Sequence, residues 1–142
     1  MAKLTVDEVI ASVLNKVDEG SFVAADVIKT LNQCNVHIAT ELYIKELSTV
    51  SEITISADAN TASLPSDFLR GFVFAYNSTI GRPVKVYDSR RLVDRKLRGI
   101  RTSGDVRYAC NDYPNVYVAY APAGDQLLDI YYCKLPTDLE IG

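Results

Sequence analysis

The chain of 142 residues has no tryptophan, one histidine, one methionine and three cysteines, and these shortages exclude several kinds of chemistry. Cys34, Cys110 and Cys133 form neither a CxxC pair nor a Cys/His ligand spacing, so a zinc site is not expected. An odd, scattered set of this kind reads as reduced, mostly buried thiols in a cytosolic setting. His37 stands alone in the middle of a helical segment. Glu41, four residues on, makes an ordinary helix-surface pair with it, and the Cys34/His37 spacing lacks a third group to orient a thiolate–imidazole nucleophile. No GxSxG elbow, Walker A loop or GxGxxG turn occurs. Asp67, Asp112 and Asp125 sit at turns, where backbone capping explains them. The expectation is a protein without catalytic residues, cofactor or metal. No signal peptide is expected, because a polar-studded helix rather than an apolar run follows Lys3. No apolar run approaches the roughly 20 residues that span a bilayer, so no membrane partner is expected.

What is present fits one folded domain over 1–142, with a helical part at 5–46 and a β-rich part at 47–138. Hydrophobic residues make up 48% and charged ones 23%, which excludes disorder of the whole chain. Net charge is −3, so the protein as a whole is not marked for nucleic acid. The charge is unevenly spread, however. Between Arg82 and Arg107 nine Lys/Arg face three acids, a local excess of +6, and the rest of the chain carries −9. Such a division suits a protein that meets unlike surfaces on two sides.

Thr5-Val6-Asp7-Glu8 reads as a capping box. Val6, Val9, Ile10, Val13, Leu14 and Val17 then form one apolar stripe, ended by Gly20 as a cap. A second helix starts at 22–24 and runs to about Lys45. Its expected core stripe is Val27, Leu31, Cys34, Ile38 and Leu42, with Ile28 alongside. The two should form an antiparallel hairpin. Beyond Leu47 the period changes to two. Strands are expected at 52–56, at 62–64 pairing back across the Asp58-Ala59-Asn60 turn, and at 71–77 and 83–87. Ser66 to Arg70 should make one turn-like step. A short basic helix over 89–98, with Leu92 inward, should stop at Gly99. Strands at 107–110, 116–121 and 127–134 close the chain, the last two joined by a hairpin turn at Pro122-Ala123-Gly124-Asp125. The class is α+β: an N-terminal antiparallel helical hairpin, then an antiparallel sheet with a short basic helix.

Three pieces, in this order, resemble the head-to-tail adaptor (neck, tail-tube adaptor or head-completion) proteins of tailed phages. They are Leu64-Pro65-Ser66-Asp67-Phe68-Leu69-Arg70 after a hairpin, Val116-Tyr117-Val118-Ala119-Tyr120-Ala121-Pro122 before a glycine turn, and the closing Leu128-Asp129-Ile130-Tyr131-Tyr132-Cys133-Lys134-Leu135-Pro136. The resemblance covers about residues 5–138. It implies a structural subunit of the virion neck, assembled from the host cytoplasm as a homo-oligomeric ring, twelvefold in the virion. The implied partners are the portal protein, a tail or nozzle protein, and genomic DNA that passes through the lumen without sequence-specific binding. Such adaptors usually continue into C-terminal helices that embrace the portal. Here eight residues follow Lys134, so the docking element is expected elsewhere or the subunit in a short branch.

On this reading Arg82, Lys85, Arg90, Arg91, Arg95, Lys96, Arg98 and Arg101 are the candidate interface. Arginine grips carboxylates bidentately, so the segment could meet Asp7, Glu8, Asp18, Glu19 or Asp26 of a neighbouring subunit. It could instead line a DNA channel. Leu64, Pro65, Asp67, Phe68 and Arg70 are expected to be a structural turn, with Leu64 and Phe68 in the core. The tyrosines divide between sheet core and interface. The alternative reading is a small nucleic-acid-binding module built on 82–107.

Overall fold

A computed structural model describes residues 4–17, 20, 23–97 and 103–140. The chain divides into two compact units, 1–44 with 135–142, and 45–134.

The first unit is built on the expected helical pair, α1 (Val6–Val17) and α2 (Ala24–Glu41). The capping box forms as read: the Thr5 N–H donates to Glu8 Oε2 at 2.7 Å, and the Glu8 N–H donates to Thr5 Oγ1 at 3.3 Å. Helix α1 ends at Val17, ahead of Gly20, and the intervening residues lie outside the described ones. At the start of α2, Asp26 Oδ2 accepts the Val23 N–H at 3.2 Å. Val23 has no side-chain oxygen to return the bond, so this is half of a capping box. The inward stripe of α2 differs from the expected one. Buried or half-buried positions are Val27, Ile28, Leu31, Asn32, Asn35, Val36 and Ala39, while Cys34, Ile38 and Leu42 are exposed. Leu31 belongs to two possible helical rows, and the structure follows the one through Asn32, Asn35 and Val36. The Asn32 side chain also holds the closing segment in a two-way bond: Nδ2 donates to the Leu139 carbonyl at 3.2 Å, and Oδ1 accepts the Leu139 N–H at 2.8 Å.

A 3-10 turn, Lys45–Leu47, opens the second unit. Seven strands and one helix follow: β1 (Ser48–Ile55), β2 (Thr61–Ser63), β3 (Phe68–Asn77), β4 (Arg82–Tyr87), α3 (Arg90–Leu97), β5 (Tyr108–Asp112), β6 (Asn115–Val118) and β7 (Gln126–Lys134). Their order in the sheet is β1-β7-β3-β4-β5-β6-β2. The fold is α+β, with a mostly antiparallel sheet. One pair, β4 and β5, is parallel, because α3 provides the crossover that parallel neighbours need.

Three sequence expectations change. Strand β2 pairs with β6, Ala62 opposite Val116, instead of closing a hairpin on β1. Residues 122–125 are no hairpin turn, since β6 and β7 are not neighbours; the tight turn is Tyr113-Pro114 between β5 and β6. The inward residue of α3 is Val93, fully buried, with Leu92 only half-buried.

The core of this unit gathers Ile53 and Ile55 from β1, Phe68, Phe72 and Ala75 from β3, Val84, Val116, Val118, and Leu128, Ile130 and Tyr132 from β7. Strand β3 shifts register against β7 between Phe68 and Phe74. Gly71 sits in that irregular stretch at φ +82°, a conformation that costs glycine little. The shift moves the inward phase from even residues (Phe68, Phe72) to odd ones (Ala75, Asn77) and turns Phe74 outward.

Candidate functional site

The expected structural turn is a core anchor. The Phe68 N–H donates to the Pro65 carbonyl at 3.1 Å and the Leu64 N–H to the Pro114 carbonyl at 3.0 Å. Phe68 is buried, with Leu64 packed against the same cluster. Its ring lies 5.5 Å from that of Tyr132, and the Tyr132 hydroxyl donates to Asp67 Oδ1 at 2.6 Å. Asp67 therefore holds a side chain of β7, where backbone capping was expected. Burial, with the Asp67 carboxylate next in effect, raises the Tyr132 phenol to about 12. Arg70 lies on β3, opposite Cys133.

The described cations of the basic segment are all exposed, and some of them also contact this chain. Lys85 on β4 has its ammonium 5.5 Å from the Tyr87 ring. At the start of α3 the Arg90 guanidinium lies 4.2 Å over the Tyr117 ring. It also meets Asp112 at 3.6 Å and Asp94 at 3.9 Å. The Tyr117 hydroxyl donates to Asp94 Oδ1 at 2.6 Å. Burial first, then that hydrogen bond, raises the Tyr117 phenol. At the other end of the helix the Tyr120 hydroxyl donates to the Lys96 carbonyl at 3.1 Å, satisfying one of the last helical acceptors. Beneath α3, Val93, Cys110, Tyr117 and Ala119 form a second small core. Burial there, helped by Asp112 and Asp94, pushes the Cys110 thiol up to about 11, which makes it a poor nucleophile. Arg90, itself exposed, is thus engaged within this chain, and Arg91 and Arg95, four apart, are exposed on α3, with Arg82 exposed on β4. Arg98 and Arg101 lie outside the described residues.

Of the acids expected opposite this segment, Asp7, Glu8 and Asp26 are exposed at the starts of α1 and α2, and Asp18 and Glu19 lie outside the described residues. His37 is exposed and lines an open groove with Ile28, Asn32, Val36 and Asp138. Cys34 is exposed rather than buried, while Cys110 and Cys133 are buried free thiols. Among the described residues no group of three His, Cys, Asp or Glu could hold a metal ion. No helix there is long and apolar enough to cross a membrane.

Sequence reasoning missed two features. One is a buried polar network around Gln126: its Oε1 accepts from Asn77 Nδ2 at 2.8 Å and the Val106 N–H at 2.9 Å, and its Nε2 donates to Asp105 at 2.8 Å. No motif signals it. The other is an outward row across three strands, Val50, Tyr131 and Phe74, directly opposite one another in the ladders. They are 51%, 43% and 45% exposed, and the Phe74 and Tyr131 rings meet edge-on at 5.1 Å. Strict alternation on β7 points to Tyr131; only the register shift in β3 reveals Phe74.

The model of the SU10 adaptor protein family matches residues 4–142. The chain belongs to that family. The SU10 adaptor proteins are structural phage adaptors, not an enzyme family, and the chain is accordingly a virion component. A search of curated proteins gives no match.

Proposed function

We propose that this SU10 adaptor is a head-to-tail neck subunit that forms a ring between portal and tail, with DNA passing through the lumen. The family match over 4–142 carries the reading. The uneven charge supports it. The unit containing α1 and α2 has three Lys and eight acids, net −5, and the sheet unit has twelve Lys/Arg and ten acids, net +2. Copies placed head to tail bring the unlike units together. The cations that act between subunits are Arg91 and Arg95, exposed on α3, together with Arg82, exposed on β4, while Arg90 also contacts Asp94 and Asp112 of its own chain.

The test is co-assembly with the portal, followed by native mass spectrometry and electron microscopy. Wild type should add a ring, twelvefold on a twelvefold portal. Arg91→Glu with Arg95→Glu should assemble less while keeping its circular dichroism. Normal assembly by that variant would remove the basic face from the contact. A nucleic-acid-binding module would instead bind DNA tightly without portal, with affinity falling steeply as salt rises. A lumen that lets DNA slide calls for weak binding.

A further inference from the structure

All seven strands of the sheet unit feed one core, since Ala62 of β2 and Ala109 of β5 join the residues of the other five. The two ends of the strand order, β1 and β2, lie against each other. The sheet therefore wraps round that core, and its second face turns outward. Two sectors of the outer face differ. Over β4 and β5 it is covered by α3, with Val93 packed on Cys110 and Tyr117. Over β1, β7 and β3 it exposes the Val50–Tyr131–Phe74 row. β7 and β5 stand three places apart in the order of seven, so the two sectors face away from each other across the core.

The sectors also differ in charge. Residues 82–107 hold nine Lys/Arg and three acids, while the remainder of 45–134 holds three Lys/Arg and seven acids, net −4. Next to the row, Glu52 and Asp129 lie directly opposite each other on β1 and β7. Like charges so placed repel, and among the described residues neither has an ion pair. Arg91 and Arg95 are exposed on α3 and have no ion pair among the described residues either. In the helical unit, by contrast, Glu8 and Asp26 already accept backbone N–H bonds at their helix starts. Residues four apart on a helix have Cβ atoms about 6 Å apart, and opposed residues on neighbouring strands about 5 Å apart, so the two cations match the two carboxylates in spacing. Arginine stacks on an aromatic ring while its fork holds a carboxylate, as Arg90 does with Tyr117 and Asp112.

We propose that α3 of one copy docks on the Val50–Tyr131–Phe74 row of the next copy, with Arg91 and Arg95 paired to Glu52 and Asp129 and stacked against Tyr131 and Phe74. The inference rests on the ring reading and names its contact. A closed heterologous ring needs two unlike faces on every subunit, and these are unlike in charge and point apart.

Glu52→Lys with Asp129→Lys should cut ring yield on the portal about tenfold or more, read by native mass spectrometry, with circular dichroism unchanged. Adding Arg91→Glu and Arg95→Glu to that pair should restore the ring, because each copy again offers one cationic and one anionic face. A second measurement keeps all four charges. Thr54→Cys and Asp88→Cys, both at exposed positions, set one thiol beside each face, in a Cys34→Ser background that removes the exposed native thiol. Portal-bound oligomers of this variant, treated with a short bismaleimide and denatured, should give a ladder of covalent dimers, trimers and higher species. Wild-type yield from the Lys pair, a folded four-charge variant that stays as poor as that pair, or a ring without a ladder overturns the contact and leaves the ring reading intact. Links confined to single chains, or dimers without higher species, overturn it as well. Absence of any wild-type oligomer on the portal overturns both.

Discussion

The two units solve the burial of apolar surface differently. In the sheet unit, β1, β3 and β7 contribute Ile55, Ala75, Leu128 and Ile130 at zero exposure, and buried polar groups are satisfied. In the helical unit only Ile10, Val27 and Ala39 are buried along α1 and α2, while Ile38 is nearly half exposed and Leu42 more so. Apolar burial is the main favourable term in folding. A sheet with seven strands closes over its own core, whereas two helices have only one seam to share. The sheet unit stands on internal contacts, whereas the helical unit leaves Ile38 and Leu42 open to its surroundings.

The largest expected effect breaks the sheet side. Phe68→Ala removes a core ring stacked near Tyr132 and should cost about 3–5 kcal/mol in urea unfolding. A loss under about 1 kcal/mol would show that the LPSDF step anchors nothing. Next is Gln126→Leu, which strands the Val106 N–H and leaves the Asn77 amide with only its bond to the Val106 carbonyl. It should cost about 1–3 kcal/mol as unsatisfied buried polar groups, measured in the same way.

A pH titration sharpens the sheet side further. The Tyr132 phenol ionises near 10.0 when unfolded and near 12 when folded. Above pH 10 the unfolded chain loses that proton while the native state keeps it. Stability from this group is therefore complete below pH 10 and lost as pH rises toward 12. Tyr132→Phe should flatten that part of the stability curve relative to wild type. An unchanged slope would mean that the buried Tyr132 phenol does not govern it.

The smallest effect on stability belongs to the helical side. Ile38→Ser, at an exposed position, should change unfolding by about 0.5 kcal/mol or less. A loss of several kcal/mol would place Ile38 in a core and end the contrast between the units.

Periodicity and caps were enough to read α1, β7, the Thr5–Glu8 box and the LPSDF anchor, because each is decided within a few residues. Pairing partners were not legible. Nothing local tells β2 to choose β6, and that choice rests on long-range closure of the sheet. The α2 stripe was misread because a row through Cys34 and Ile38 is more apolar than the one through Asn32, Asn35 and Val36 that faces inward. The contacts of Arg90 with Tyr117, Asp94 and Asp112 were not legible either, because they join residues up to 27 positions apart.

Hydrogen exchange on the free chain and on portal-bound oligomers tests the central contrast most directly. The account expects β3 and β7 amides to be strongly protected in both states. Amides of α2 from about Cys34 to Glu41 should exchange readily in the free chain and slow by an order of magnitude or more on assembly, as local openings are suppressed. Protection of that stretch in the free chain equal to the sheet core, with no gain on assembly, would contradict it.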